Sequence, residues 1–448
     1  MPALEGGLGA PIRHPLNWKD KAFVDSESLD AEMRRVFDVC HSCRRCFNLC
    51  DSFPRLFDLI DESESGELDS VDSSSFSKVE ESCTLCDLCF LSKCPYVPPH
   101  EFNIDFPHLI LRYRYVEKIK KSGLSIINRI ILNTDLTGKI GSYYAPFINW
   151  IFSKKNILTR KIIEFFTGIH RNARLPKFNF RPFEKIKKKT IYKQQNIDLS
   201  NSRKVVIYTT CYVNYNLPDV ALAALKVLNK NNVYVEFIYP ECCGMPKLEA
   251  GDLQSVTEKA KRISKKLVSW IDKGYEILTL TPSCGLMFKS EWKLLDPENE
   301  NILKVANATK DICEYVVELT KDESFITGSQ NLEKNIALHI ACHTKAQNIG
   351  IKSAEMLKAV PNIKINIIDK CSGHGGSFGV KKDTYPLAKK YGKMAARKIS
   401  ISDDTIIASE CPLAAQHLSE TNAEINSNKN YTKTYHPIEI LAESYTDE

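Results

Sequence analysis

Eight cysteines form two runs near the N-terminus: Cys40, Cys43, Cys46 and Cys50, then Cys83, Cys86, Cys89 and Cys94 with Pro95 directly after. The first run is C-x2-C-x2-C-x3-C, and the second differs only in having four residues before its last cysteine. Thiolates at this spacing wrap a [4Fe-4S] cluster, and where two such clusters share one small unit the fourth cysteine of each run ligates the other run's cluster. On that rule Cys40, Cys43, Cys46 and Cys94 form one set, and Cys83, Cys86, Cys89 and Cys50 the other. The chemistry implied is one-electron transfer. Zinc also takes four thiolates, but its sites come as separated C-x2-C pairs rather than triplets. The extra residue, among Phe90, Leu91, Ser92 and Lys93, weakens only the case for Cys94, and Pro95, with no amide hydrogen, ends the loop.

A second group of cysteines is spread over an internal repeat. Residues 204–210 (KVVIYTT) and 335–341 (NIALHIA) are β-branched runs ending at Cys211 and Cys342; residues 233–239 and 363–369 lead to Cys242-Cys243-Gly244 and to Cys371; residues 276–281 and 405–409 lead to Cys284 and Cys411. The intervals from Cys211 to Cys342, Cys243 to Cys371 and Cys284 to Cys411 are 131, 128 and 127 residues. Helical patterns lie between the runs, at 217–229, 253–271 and 383–399. Strands alternating with helices imply a parallel sheet, whose ligands gather at the carboxyl ends of the strands. All the repeat cysteines fall at those ends.

These residues resemble the cysteine-rich, or CCG-domain, iron–sulfur oxidoreductases, the group that includes cysteine-rich subunits of anaerobic glycerol-3-phosphate dehydrogenase, of glycolate oxidase and of heterodisulfide reductase. The resemblance spans roughly residues 35–445. It carries over the eight N-terminal cysteines as a ferredoxin-type pair, Cys211, Cys242, Cys243 and Cys284 as the motif of repeat one, and Cys342, Cys371 and Cys411 as that of repeat two. The chain departs from the family pattern at Thr281, Lys370 and Ala408, each standing where the motif has a cysteine. The resemblance therefore implies two [4Fe-4S] clusters, a further cluster in the first cysteine-rich domain, and one in the second only with a non-cysteine ligand or an open iron site. His343 and His374 are placed to supply such a ligand, since imidazole replaces thiolate in Rieske centres; equally, they can serve as a cap and as a hydrogen-bonding group. Lys345 and Lys370 can neutralise an anionic substrate or simply be solvated.

The expected fold is α+β multidomain, with a terminal arm (residues 1–38), a helical two-cluster ferredoxin-like domain (39–100), a basic amphipathic helical region and linker (101–202), and two tandem cysteine-rich α/β domains with parallel sheets (203–330 and 334–448). The chain has 448 residues and a net charge of +6, unevenly distributed. Residues 51–82 hold ten acids against Arg55 and Lys78 and read as a solvated connecting loop. Residues 102–193 hold about twenty Lys and Arg against Asp105, Glu117, Asp135, Glu164 and Glu184, with Leu158, Ile162, Phe165, Phe166 and Ile169 at helical spacing and Gly168 placed to end the helix. Such a segment either packs its apolar side on the protein with lysines facing water, or docks on a partner or an anionic membrane. Residues 185–202 read as a linker, His170 as exposed, and Cys313 as a core residue on a helix between the repeats. His436-Pro437 reads as a helix entry.

Several classes are set aside. The N-terminus lacks a basic region followed by an apolar core, and a chain this long is no disulfide scaffold, so a reducing cytoplasmic location is expected, with peripheral placement on the inner face of a membrane open. No apolar stretch reaches the 18 residues of a membrane span. Nucleic acid is not an expected partner, because no recognition motif accompanies the basic residues. With no G-x-G-x-x-G opening a βα unit and no P-loop, flavin and nicotinamide chemistry falls to a partner. The expected function is an electron-transfer subunit serving a flavoprotein dehydrogenase, a quinone or another redox protein. The alternative is a heterodisulfide-reductase-like enzyme acting at an open cluster, and a non-redox zinc protein ranks below both.

Overall fold

The β-branched runs of the C-terminal half become two parallel sheets. In the computed structural model, which describes residues 11–191, 202–330, 332–399, 405–426 and 433–446, β1 (Arg203–Tyr208), β2 (Val233–Ile238), β3 (Glu276–Thr279) and β4 (Thr309–Asp311) stand in the order β2-β1-β3-β4. The second sheet repeats it as β6-β5-β7-β8, from β5 (Asn335–His339), β6 (Lys364–Ile368), β7 (Thr405–Ser409) and β8 (Thr434–Tyr435). Val205, Val206, Ile207 and Tyr208 of β1 are fully buried, as a parallel strand covered by helices on both faces must be. Register aligns the carboxyl ends: Tyr208 lies opposite Ile238 and Thr279, and His339 opposite Ile368 and Ser409. Each set of repeat cysteines therefore leaves one sheet edge.

Strands β4 and β8 are absent from the sequence reading, since three and two residues are too short to show a period of two. Cys313 is buried on the Ile312–Leu319 helix that follows β4. His436 accepts from the Ile438 amide and, with Glu439, closes a capping box on the Pro437–Glu443 helix. The repeats share one hydrophobic core, in which Val205, Ile207 and Leu228 meet Ile336, Leu338 and Ile440.

The N-terminal unit corrects the reading of residues 51–82 as a solvated loop. Phe53, Leu56, Phe57 and Ile60 line one side of the Ser52–Asp61 helix and, with Leu68, Val71, Phe76 and Val79, form the unit's core together with Met33 and Phe37. The acids occupy the outer side. Their abundance masks an i, i+3, i+4, i+7 pattern that is present in the sequence. The Ser26–Cys43 helix runs across residue 38 and carries the first two cysteines in its last turns.

The basic region is mainly helical, with residues 168–182 outside any helix, and the Phe106–Lys120 helix joins the core of the N-terminal unit through Ile110 to that of the first sheet through Leu111. Two expectations fail here. Residues 185–189 lie inside the Phe183–Ile191 helix, anchored by buried Phe183, rather than in a linker; residues 192–201 lie outside the described residues. His170 is half-buried, stacked on Tyr385 with ring centroids 4.1 Å apart. Gly168 ends the Ile157–Thr167 helix at φ 68°, yet that helix turns its apolar residues outward, so the layer packed by its apolar side with lysines facing water is not what forms.

Candidate metal centres

The last turns of the Ser26–Cys43 helix present Cys40 and Cys43, and Arg44 in the left-handed region at φ 51° turns the chain so that Cys46 follows on the same side. Cys94 comes from the other run. Its amide donates to the Cys89 carbonyl at 2.9 Å, and this tight turn after the Leu88–Ser92 helix absorbs the extra residue. Cys40, Cys43, Cys46 and Cys94 line one pocket of about 300 Å3, partly open to solvent, walled by Val39, Phe53, Tyr96 and Ile104. Burial pushes the Cys40 thiol well up, with Cys94, Cys46 and Cys43 adding like-charge repulsion, and Cys46 is pushed up to about 12 by burial and then by Cys94. Thiolates crowded in this way need a cation among them.

The second set is built on a strained loop. Leu85 at φ 49° and Asp87 at φ 62° fold the chain between Cys83 and Cys89. Burial raises the Cys50 and Cys89 thiols; Cys83 and Cys86 add to it at Cys50, and Cys86, Cys83 and Cys50 at Cys89. Cys50 thus faces the other run, as Cys94 does. Among the described residues no three His, Cys, Asp or Glu side chains close on a point suited to a single ion.

At the edge of the second sheet, Cys342 heads the Cys342–Ala346 helix, Cys371 follows β6, and Cys411 caps the Pro412–Ile425 helix. This trio adjoins the N-terminal unit. Burial and then Cys371 push the Cys86 thiol up to about 12, and burial followed by Cys86, Cys371 and Cys411 raises Cys342. Phe378, Ala388 and Tyr391 pack against both Cys50 and Cys371, and the Tyr391 hydroxyl accepts from the Asp51 amide at 2.5 Å. Close approach depends on glycine: a Cβ on Gly375, at φ +47°, would sit 2.8 Å from Thr84, and one on Gly373, at φ +75°, 2.0 Å from the Ala388 carbonyl oxygen.

Two of the histidines near the trio are engaged elsewhere. His343 has Nδ1 2.9 Å from Ser283 Oγ and also hydrogen-bonds the Leu85 backbone, pinning repeat one, repeat two and the cysteine loop together. His339 is bonded at both ring nitrogens, to Ser409 Oγ at 3.0 Å and the Lys370 carbonyl at 3.1 Å. His374 is pushed down to about 3 by burial and by the neighbouring His417 and His343 rather than being held charged by a thiolate. Lys345 is paired with Asp369, and Lys370 is exposed.

At the edge of the first sheet, buried Cys242, Cys243 and Cys284 and half-buried Cys211 form one series: Cys211 and Cys243 each bond Cys242, and Cys284 Sγ lies 3.1 Å from Cys243 Sγ. Those bonds to Cys242, with burial, raise both Cys211 and Cys243. The loop is held from outside the repeat. The Cys242 amide donates to the Asp135 carboxylate at 3.0 and 3.1 Å, Tyr239 donates to it at 2.6 Å, Lys259 lies 3.1 Å away, and Trp292 Nε1 donates to the Cys243 carbonyl at 3.1 Å. Asp135 escaped the sequence reading because it is one of five acids in a basic stretch and its partners lie more than a hundred residues on. Asp135→Ala is expected to cost about 1–3 kcal/mol by orphaning the Cys242 amide and leaving Lys259 only Glu241, read as a lower midpoint of thermal unfolding. Asp135, Tyr239, Glu241 and Lys259 also wall an open cleft beside this loop.

Comparison with known proteins places the class. The CCG cysteine-rich domain family matches residues 205–289 and 336–418, so the two sheets with their edge cysteines carry two CCG domains. It is similar to a subunit of anaerobic glycerol-3-phosphate dehydrogenase of Escherichia coli (strain K12), 24% identical over 71% of this chain and 77% of that protein. It is also similar to a subunit of the fumarate reductase (CoM/CoB) of Methanothermobacter marburgensis, 24% identical over 57% of this chain and 49% of that protein. A subunit of the dihydromethanophenazine:CoB–CoM heterodisulfide reductase of Methanosarcina mazei is 25% identical over 50% of this chain and 55% of its own length.

Proposed function

We propose that this chain is the iron–sulfur electron-transfer subunit of an oxidoreductase, with [4Fe-4S] clusters held by Cys40, Cys43, Cys46 and Cys94 and by Cys50, Cys83, Cys86 and Cys89. A further iron–sulfur cluster is proposed at Cys211, Cys242, Cys243 and Cys284. When bound, such clusters supply one-electron chemistry at potentials set by hydrogen bonding and burial. The observation that carries the reading is the contiguity of the thiol sets: Cys40, Cys46, Cys50, Cys83, Cys89 and Cys94 pack in one core, Cys50 and Cys371 pack against the same Phe378, Ala388 and Tyr391, and Cys371 acts on Cys86 as Cys86 does on Cys342. Cys83, Cys89, Cys242, Cys243 and Cys284 are buried and the remaining thiols of these sets partly so, and the helices that begin at Cys342 and Pro412 turn their positive ends toward the trio. The trio has no fourth thiol of its own, and of the two histidines placed to help, His343 is bonded to Ser283 while His374 has a buried Nε2 with no hydrogen-bond partner; Cys342, Cys371 and Cys411 are proposed as an open site, not as a complete one. A flavoprotein dehydrogenase, a quinone or another redox protein is the proposed partner, with placement peripheral to a membrane.

Anaerobic iron and sulfide counting with EPR tests this, on the unaltered protein and on Cys211→Ser, Cys284→Ser and Cys371→Ser. Loss of about four irons from Cys211→Ser and Cys284→Ser alike, with the two N-terminal signals intact, is the expected result. A colourless protein holding zinc and no iron would sink the proposal.

A further inference from the structure

The Ile157–Thr167 helix is packed inside out. Arg160 is 1% exposed and Glu164 7%, whereas Phe165 is 84% exposed and Leu158 73%. Its buried polar side is partnered at all but Arg160 Nη1: Arg160 donates through Nε and Nη2 to the carbonyls of Arg171, His170 and Ala173 at 2.7 to 2.9 Å, and Glu164 accepts from the Arg171 amide and guanidinium. A helix meant for water would show the opposite arrangement.

Its neighbours do the same. The Thr134–Tyr143 and Ala145–Ile151 helices bury Gly138, Gly141, Ser142 and Ala145, and leave Tyr143, Phe147 and Trp150 exposed. The fit is close, since a Cβ on Gly138 would lie 2.2 Å from the Tyr215 ring and one on Gly141 2.6 Å from Phe178. The Ile126–Ile131 helix has no buried residue at all, and its Ile126 is exposed. The Thr134–Tyr143 helix is seated on the first CCG domain through Gly138 on Tyr215, and the segment around the Ile157–Thr167 helix on the second through Lys154 on Glu420 and His170 on Tyr385, so the exposed apolar residues face away from these contacts.

The charge on this surface has one sign. Residues 125–181 contain ten Lys and Arg against two acids, Asp135 and Glu164, and both acids are turned inward onto Lys259 and Arg171. Arg129, Lys139, Lys155 and Lys161 are exposed around the apolar residues. Among the described residues no helix is long and apolar enough to cross a membrane.

We infer that the outer faces of these four helices form a docking surface for an anionic lipid bilayer, aromatic and aliphatic side chains entering the headgroup boundary and the surrounding cations meeting lipid phosphates. Lipid is chosen over a protein partner because the surface combines interfacial aromatics, wholly positive charge and apolar residues spread over four consecutive short helices, the composition of in-plane amphipathic segments. This deepens the peripheral location proposed above and stands apart from the iron content.

Flotation of the anaerobically purified full chain tests it, with vesicles of phosphatidylcholine alone and with about one third phosphatidylglycerol. The chain is expected to float with the anionic vesicles and to be released as salt rises. Leu158→Glu and Phe165→Glu, both at exposed positions, are each expected to reduce binding about tenfold or more with the iron count and thermal unfolding unchanged; Lys155→Glu with Lys161→Glu is expected to weaken binding to the anionic vesicles selectively. An unaltered protein that stays unbound with its full iron content overturns the lipid surface while leaving the electron-transfer reading intact. Dimers dissolved by Leu158→Glu without vesicle binding would assign the face to a second copy of the chain instead, and vesicle binding by a protein without iron would overturn only the electron-transfer reading.

Discussion

Cys94→Ser is expected to remove about four irons from the set that includes Cys40, although Cys94 lies in the other run. Its iron count and EPR spectrum should match those of Cys40→Ser, while Cys50→Ser should match Cys83→Ser. The reason is geometric: Cys94 lines the same pocket as Cys40, Cys43 and Cys46, whereas Cys50 is raised by Cys83 and Cys86. A thiolate can ligate only what it reaches, and a serine hydroxyl is a poor substitute for it on iron. If Cys94→Ser instead pairs spectroscopically with Cys89→Ser, each run holds its own cluster and the crossed arrangement is wrong. The crossed arrangement also predicts mutual dependence, because each set needs both runs folded; loss of both signals on Cys94→Ser would place that coupling above the ligand effect itself.

Arg13→Ala is expected to be the most destabilising single change outside the cysteines, by about 3–5 kcal/mol, the cost of breaking a buried ion pair by removing one partner. The Arg13 side chain is 13% exposed and meets Asp87 at 2.8 Å, Asp105 at 2.8 Å and Glu291 at 3.6 Å. Asp87 belongs to the second cysteine loop and Glu291 to the first CCG domain, so one guanidinium neutralises acids from three parts of the chain. Removing it leaves buried carboxylates facing one another. Thermal unfolding measures the loss, and Arg13→Lys should recover only part of it, since a single ammonium cannot fork between Asp87 and Asp105.

The same network sets an acid limit. Burial alone would raise Asp105, but His108 and Arg13 outweigh it and hold the carboxyl at about 2. A folded value below the unfolded one, about 3.9, means that this carboxylate stabilises the protein above about pH 4 and that its contribution is lost as pH falls through about 2. Without Arg13 the folded value rises, so the acid-unfolding midpoint of Arg13→Ala should move to higher pH. An unchanged midpoint would show that His108 alone holds Asp105.

Much of the candidate site was legible in the residues. The cysteine spacings, the triple recurrence of strand, loop and cysteine, and the helices at 217–229 and 253–271 are local or periodic features. Less legible was anything masked by composition. The acidic stretch after Cys50 read as a loop because its charges outnumber its apolar residues, although Phe53, Leu56, Phe57 and Ile60 keep helical spacing. The roles of Asp135 and Arg13 have no local signature, because a charged residue carries no sign of partners lying more than seventy positions away.

By itself the sequence determined the chemistry and the topology: which residues are thiols, that they follow strand ends, and that the pattern occurs twice. These depend on backbone periodicity and turn geometry over a few residues, where side-chain order is decisive. Only the tertiary structure brought the second set to the trio, placing Cys86 near Cys371, and turned His343 toward Ser283 and Leu85. It alone decided which face of the Ile157–Thr167 helix looks outward. An amphipathic pattern specifies two faces but not which is buried; that choice fell to Arg160 and Glu164, whose hydrogen bonds to the 170–173 turn hold them inside, leaving the apolar side to solvent.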